Sequence, residues 1–200
     1  MEWLLVPAAY LLGSVQPGLI VVKLTMDVDV RTLGSGRTGM TNVLRTAGKR
    51  AAAVVFLADA GKGLAAVLAA RALTDEPLVH AAVATAVLVG HVWPVFAGFR
   101  GGRGIATGVA TTLGIDPWAS LAGVGTFLPV LGVSRYVSLA SVVSVIAAVA
   151  AFAVRAAFFD APAAYLGYFV AGAVLIIATH RDNIRRLLRG EERRLGGRAA

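Results

Sequence analysis

The chain has 200 residues, of which 58% are hydrophobic and 15% charged; soluble domains run at roughly 45–50% and about 25%. Its mean hydropathy is +0.76. That much apolar surface all but excludes a soluble enzyme, and it excludes a disordered chain. No cysteine is present, which removes disulfides, thiolate metal sites, cysteine nucleophiles and iron–sulfur clusters. The net charge of +8 reads in a membrane protein as topology and anionic lipid rather than nucleic acid.

Seven apolar stretches follow one another: 3–24, 51–70, 79–98, 105–115, 117–132, 137–154 and 161–179. The expected fold is an all-α integral membrane protein of about seven transmembrane helices, two of them short. A single transmembrane domain covers 1–200 and ends in a basic cytoplasmic tail, 181–200. Five stretches suit a hydrocarbon core that takes about 20 helical residues. The short pair is 105–115 and 117–132, split at Asp116-Pro117; the first of them would rise only ~16 Å. The pair reads as two short spans or as a re-entrant hairpin. The first stretch opens on Glu2 and is too long for a removed signal peptide, and Gly13, Pro17 and Gly18 predict a kink within it.

Charge sets the orientation. One side holds 16 cations: Lys23, Arg31, Arg37, Arg45, Lys49, Arg50, Arg100, Arg103, Arg135 and the tail arginines 181, 185, 186, 189, 193, 194 and 198. The other side holds 2, Arg71 and Arg155. The positive-inside rule places the N-terminus outside and the C-terminus in the cytoplasm. The tail also carries Ile184, Leu187, Leu188 and Leu195, a pattern suited to anionic headgroups.

The first cationic loop reads Gly34-Ser-Gly-Arg-Thr-Gly-Met-Thr-Asn-Val-Leu-Arg45. Gly34 and Gly36 permit positive φ and expose backbone N–H groups. Ser35, Thr41 and Asn42 add donors, and Arg45 adds charge, a combination suited to phosphate. The dinucleotide fingerprint that Gly34, Gly36 and Gly39 formally match needs a βαβ unit, and membrane spans flank it here. The P-loop pattern fails at Met40, where lysine is required. A flexible connection remains the plain alternative. The second loop, Phe99-Arg-Gly-Gly-Arg-Gly-Ile-Ala-Thr107, sets Gly101, Gly102 and Gly104 around Arg103 at a helix start. It reads as a phosphate contact or as a basic stop at the membrane face.

Ser138 and Ser141 open one span, three residues apart and so on one face. His180 and Asn183 close the last with the same spacing. All four are expected near the cationic face. Asp59 and Lys62 lie one turn apart inside a span, where charges are expensive; a structural pair is the favoured reading and a proton or ion path the other. His91-Val-Trp-Pro94 reads as an interfacial belt with a proline kink. No histidine precedes an Asp by five positions, so the His-x-x-x-x-Asp pair of soluble acyltransferases is absent. No histidine pair has metal-ligand spacing, so no metal is expected.

Six segments together resemble a known family. They are Gly34-Ser-Gly…Gly39-Met-Thr-Asn-Val-Leu-Arg45, Asp59-Ala-Gly-Lys-Gly63, Gly90-His-Val-Trp-Pro-Val-Phe96, Gly101-Gly-Arg-Gly104, Tyr136-Val-Ser-Leu-Ala-Ser141 and His180-Arg-Asp-Asn-Ile184. With Tyr10-Leu-Leu-Gly-Ser14 and Arg185-Arg-Leu-Leu188 at the ends, nearly the whole chain resembles the bacterial acyl-phosphate-dependent glycerol-3-phosphate acyltransferases, the PlsY family. The resemblance implies a seven-helix enzyme of the bacterial plasma membrane with a cytoplasm-facing site. Such an enzyme moves a fatty acyl group from acyl phosphate to the 1-hydroxyl of sn-glycerol 3-phosphate, giving lysophosphatidate and phosphate, the first step of phospholipid synthesis. It uses no cofactor and no usual protein base, a substrate phosphate taking the proton. Its surroundings are membrane lipids, and the acyl-phosphate-forming enzyme is an expected partner.

The residues that match the family are Ser35, Thr41, Asn42, Arg45, Ser141, His180 and Asn183. Arg45 and Arg103 are assigned to phosphate, and Ser35 to the cradle with Gly34, Gly36, Thr41, Asn42, Gly101, Gly102 and Gly104. Ser141, His180 and Asn183 are assigned to orienting substrate. Three positions depart from the family: Arg37 replaces Asn, Arg103 replaces Lys, and Gln16 replaces Pro, with the proline one place later at Pro17. Arg and Lys differ in shape although not in charge, so a paralogue with another phosphorylated acceptor is one alternative. A small transporter for a phosphorylated metabolite is the other.

Overall fold

A computed structural model describes residues 1–196, so Arg198 of the basic tail lies outside the described residues. The described chain is all helical and divides into two compact units, Met1–Ile115 and a second beginning at Asp116. Helices of the first unit are α1 (Leu5–Ser14), α2 (Pro17–Met26), α3 (Met40–Thr46), α4 (Gly48–Leu73), α5 (Pro77–Val92) and α6 (Ile105–Ile115). Those of the second are α7 (Pro117–Ser134), α8 (Val137–Phe158), α9 (Tyr165–Thr179) and α10 (Arg181–Leu188).

Prolines mark the starts. Pro17, Pro77 and Pro117 stand at the first turns of α2, α5 and α7, where a missing N–H costs nothing and φ is already helical. The expected kink in the first stretch is a break at Val15-Gln16 between α1 and α2. Asp116 caps α7 by accepting from the Ala119 N–H at 2.9 Å, and its second oxygen takes the Arg155 guanidinium at 2.7 Å. Arg71 donates to the Gly114 carbonyl in the last turn of α6 at 2.7 Å. Both arginines that break the charge asymmetry are therefore held by local partners.

Five segments are long and apolar enough to cross a membrane: Glu2–Met26, Gly48–Leu73, Pro77–Ala97, Pro117–Ser134 and Val137–Phe158. The short apolar helices are Ile105–Ile115 and Tyr165–Thr179. This corrects the expected short pair. The helix after Pro117 runs through Pro129 to Ser134, whereas the last apolar stretch loses its first turn. Asp160 is left-handed there, at φ 51°, and Pro162 follows it with no N–H to give.

The first unit packs by close backbone approach. A Cβ at Gly13 would strike the Val87 carbonyl and one at Gly90 the Tyr10 carbonyl, which fixes α1 against α5. At Gly63 it would come within 2.8 Å of the Thr107 carbonyl, fixing α4 against α6. Small residues at such seams replace the hydrophobic drive that lipid does not supply. Two apolar clusters fill this unit, one of Ala9, Ala66, Ala70, Val79, Val83 and Val87, the other of Val22, Val30, Val43, Ala52 and Val55. In the second unit Phe152 stacks on Phe169 at 4.2 Å between ring centres, with Tyr168 edge-on to Phe169. Leu57, Leu68, Ile146 and Val174 remain more than half exposed, as helices bathed in lipid require.

Candidate active site

The first loop is held from the inside. Asn42, in α3, is buried, and its Nδ2 donates to the carbonyls of Val30 (3.2 Å), Leu33 (3.0 Å) and Arg37 (2.8 Å). Its Oδ1 accepts from the Ser35 N–H at 2.8 Å. Gly34 is left-handed at φ 57°, and a Cβ there would strike Asn42 Oδ1. Glycine is needed here for both conformation and space. The base of the loop is anchored by Asp29 and Arg31. The Arg31 guanidinium grips both Asp29 oxygens and donates to the Ala97 carbonyl at 2.6 Å. The Arg31 side-chain hydrogen bond holds the Asp29 carboxyl below the ordinary aspartate range, against a smaller opposing effect of burial. Ser35, Arg37 and Thr41 are half-buried and Arg45 is exposed.

The second loop lies against the end of α5. The Gly101 N–H donates to the Val92 carbonyl and the Gly102 N–H to the His91 carbonyl, each at 3.2 Å. A Cβ at Gly101 would strike the His91 carbonyl, and one at Gly102 the His91 ring. Gly101, Gly102 and Gly104 are buried and Arg103 is half-buried. The favoured Asp59–Lys62 pair is present at 2.9 Å. His91 is not an interfacial residue as expected. It is 3% exposed, and its Nδ1 lies 3.3 Å from Asp59 Oδ1.

In the second unit, Glu192 gathers three donors. Its Oε1 accepts from Ser138 Oγ (2.8 Å) and Asn183 Nδ2 (2.7 Å), and its Oε2 from Arg186 Nε (2.8 Å). Burial alone would raise this carboxyl, but the bonds from Asn183, Ser138 and Arg186, with the Arg186 charge, outweigh burial and hold it below the ordinary glutamate range. The same segment is tied back where the Leu195 N–H donates to the Arg135 carbonyl at 2.7 Å. Arg194 also stacks over the Tyr136 ring at 5.3 Å.

Ser141 is buried at the start of α8 and donates to the Val137 carbonyl at 2.8 Å. His180 is buried between α9 and α10, with Nδ1 at 2.8 Å from the Ile176 carbonyl. A carbonyl only accepts, so that nitrogen carries the proton. Asn183 Oδ1 is buried without a hydrogen-bond partner.

Within the first unit the structure brings together Gly34, Gly36, Ser35 and Asn42, and separately Gly101, Gly102 and His91. Within the second, Ser138 and Asn183 meet at Glu192. Sequence reasoning missed Glu192, Gln16 and His91 as organisers. An acid inside an arginine-rich tail was the available signal for Glu192. Gln16 and His91 act on residues far away in the chain, where local spacing carries no signal.

Helices of this length and apolarity define a multi-pass integral membrane protein. The family described as glycerol-3-phosphate acyltransferase matches residues 3–190, and the chain belongs to that family. It is 46% identical over 199 residues to the glycerol-3-phosphate acyltransferase of Rubrobacter xylanophilus, covering 100% of this chain and 98% of that one. To that of Thioalkalivibrio sulfidiphilus it is 46% identical over 194 residues, covering 97% and 94%. The crystal structure of PlsY (YgiH), an integral membrane glycerol 3-phosphate acyltransferase, in its glycerol 3-phosphate form superposes with a TM-score of 0.90 at 38% identity, covering 98% of this chain and 96% of that chain. The lysophosphatidic acid form of PlsY gives 0.87 at 36%, covering 98% and 95%.

Proposed function

We propose that this protein transfers a fatty acyl group from acyl phosphate to the 1-hydroxyl of sn-glycerol 3-phosphate, giving lysophosphatidate and phosphate. The observation that carries the reading is the pair of glycine-rich, arginine-bearing loops, the first of them locked by Asn42 with the Ser35 N–H as one of its struts. Both substrates present phosphate to such loops. The hydroxyl oxygen bonds to the acyl carbonyl carbon, the bond from that carbon to the phosphate oxygen breaks, and phosphate leaves with the electron pair. The hydroxyl proton passes to a phosphate oxygen, so no protein base is needed. An acyl phosphate is already activated, and positioning with charge neutralisation supplies the rate.

In this reading Arg45 and Arg103 bind phosphate. The Ser35 and Thr41 hydroxyls line the cradle that the two glycine-rich loops form, and Asn42 shapes it. The N–H groups of Ser35, Gly36, Gly101 and Gly102, expected to be exposed, instead hold the loops, bonded to Asn42 Oδ1 and to the carbonyls of Leu33, Val92 and His91. Ser141, His180 and Asn183 orient substrate through hydrogen bonds. In the same reading the chain crosses a bacterial plasma membrane seven times, with the N-terminus outside and the arginine-rich face and site in the cytoplasm, an orientation supported by the positive-inside rule. The acyl-phosphate-forming enzyme is the partner that supplies the donor.

Purified protein in detergent, given palmitoyl phosphate with and without sn-glycerol 3-phosphate, tests the reading. Phosphate release that requires the acceptor and equals the lysophosphatidate formed is the expected result. Arg45→Ala and His180→Ala should each abolish turnover while leaving the thermal midpoint in place. Absence of turnover by folded wild-type protein, or near-normal rates in both variants, refutes the assignment.

A further inference from the structure

A set of largely buried polar contacts runs through the first unit behind the two glycine-rich loops. Lys62, in α4, has three oxygen atoms within 3.0 Å of Nζ: Asp59 Oδ1 at 2.9 Å, the Gly13 carbonyl at 3.0 Å and the Val15 carbonyl at 2.6 Å. The two carbonyls accept hydrogen bonds from the ammonium group, whereas the contact with Asp59 Oδ1 is an ion pair without hydrogen-bond geometry, and Asp59 Oδ1 and His91 Nδ1 are both buried with no hydrogen-bond partner. The two carbonyls are those freed where α1 ends and the chain breaks toward α2, where a cation is favoured. Asp59 in turn faces His91 Nδ1 at 3.3 Å. The other edge of the His91 ring abuts Gly102 so tightly that no Cβ fits between them.

Gln16 sits at the break and is 4% exposed. Its Nε2 donates to the Gly13 and His91 carbonyls, both at 3.3 Å. Its Oε1 accepts from Thr38 Oγ1, in the first loop, at 2.6 Å. A side chain without an amide at position 16 could not make this set of bonds. The path thus runs from Thr38 in one glycine-rich loop, through Gln16, to the His91 that backs the other. Lys62 and Asp59 fix its middle.

We propose that Gln16, Asp59, Lys62 and His91 are positioning residues that set the two glycine-rich loops in register for binding the acceptor phosphate, an inference that rests on the function proposed above. They touch no substrate and act through the loop backbones. A network that served stability alone would need no contact with Thr38 or Gly102.

Single replacement of Lys62 strands a buried carboxylate and invites misfolding, so the decisive variants are His91→Asn and Gln16→Leu. Asn keeps a nitrogen near the position of Nδ1 and removes the ring edge behind Gly102. Leu keeps volume and cuts the link to Thr38. With palmitoyl phosphate as donor, each should raise the KM for sn-glycerol 3-phosphate about tenfold or more, with kcat within about threefold of wild type. Amide exchange without substrate should quicken in residues 34–38 and 100–104 by more than in the middle of α4 and α5, where any loss of global stability would show equally. The double variant Asp59→Leu/Lys62→Met should regain the midpoint lost by Lys62→Met but not the acceptor KM.

Wild-type KM and wild-type loop exchange in both His91→Asn and Gln16→Leu would overturn the proposal, as would a double variant that recovers midpoint and KM together. Wild-type protein that binds no acceptor and shows no turnover refutes the proposed function alone. The exchange comparison still decides the positioning role.

Discussion

Replacing Asn42 tests how the first loop holds its shape. Asn42→Ala removes three donor contacts, to Val30, Leu33 and Arg37, and the acceptor for the Ser35 N–H. The contact to the Val30 carbonyl is fully buried and the other three are half-buried. The Val30 carbonyl keeps the Leu33 N–H as a second donor, so the loss is that of four hydrogen bonds at roughly 0.5–1 kcal/mol each. The total is about 3 kcal/mol, a shift of about two orders of magnitude in the equilibrium between ordered and open loop.

Amide exchange reads that equilibrium directly. Two loop amides report it without touching Asn42: Leu33 N–H, bonded to Val30 O at 3.2 Å, and Gly36 N–H, bonded to Leu33 O at 3.0 Å. Their protection should fall about 100-fold in Asn42→Ala, while amides in the middle of α4 and α5 keep theirs. Asn42→Asp is the sharper variant. It keeps an acceptor for Ser35 but turns an oxygen toward three carbonyls, so its loop should open at least as far. Protection within about threefold of wild type in both variants would falsify the view that Asn42 shapes the cradle.

Two further outcomes are expected. Gly63→Ala should lower the thermal midpoint in detergent, because its Cβ would lie 2.8 Å from the Thr107 carbonyl and overpacking costs about 1–3 kcal/mol. Gly61→Ala, two residues away with open space around it, should raise the midpoint through helix propensity, by up to ~1 kcal/mol; shifts of the same sign would refute the close α4–α6 seam. The depressed Glu192 carboxyl makes attachment of the C-terminal segment complete above the ordinary glutamate range and progressively lost as pH falls through the lower folded value. Exchange at the Leu195 amide, corrected for its intrinsic pH dependence, should show that acid step in wild type and lose it in Glu192→Gln. A step that persists in the variant would assign the effect to another group.

Most of the helical layout is legible in the sequence because lipid demands long apolar runs, and prolines announce where several begin. The break at Val15-Gln16, just before Pro17, and the Asp59–Lys62 pair follow from local rules, proline geometry and i,i+3 spacing. The length of the last apolar helix does not. The stretch from 161 is apolar throughout its start, yet Asp160 and Pro162 deny its first turn the backbone it needs. His91 beside a Trp-Pro step has the composition of an interfacial belt, and only tertiary packing shows that it faces Asp59. Glu192 is hidden differently. Beside Glu191 and among arginines it looks like a solvated charge, and its role depends on the segment turning back toward Ser138, 54 residues earlier.

The glycines of the two loops serve different physical ends, although the sequence presents them alike. Gly34 and Gly36 adopt left-handed backbone, which other residues adopt at a cost. Gly101 and Gly102 have no positive φ and are required for proximity, because carbonyl and ring atoms of His91 occupy the space of a side chain. Gly104 of the second loop is also left-handed, at φ 86°, so the first loop is shaped by its own conformation and by Asn42, and the second by the wall it leans on together with one left-handed residue before α6. A wall can position a loop only if the wall is itself fixed. A histidine buried in an apolar bundle gains that fixity from a charge beside it, and the charge is tolerable only with a counterion whose remaining donors are also used. Lys62 meets that condition through the two carbonyls at the α1–α2 break. The Asp59–Lys62 pair thus stands beside the His91 wall against which Gly101 and Gly102 pack.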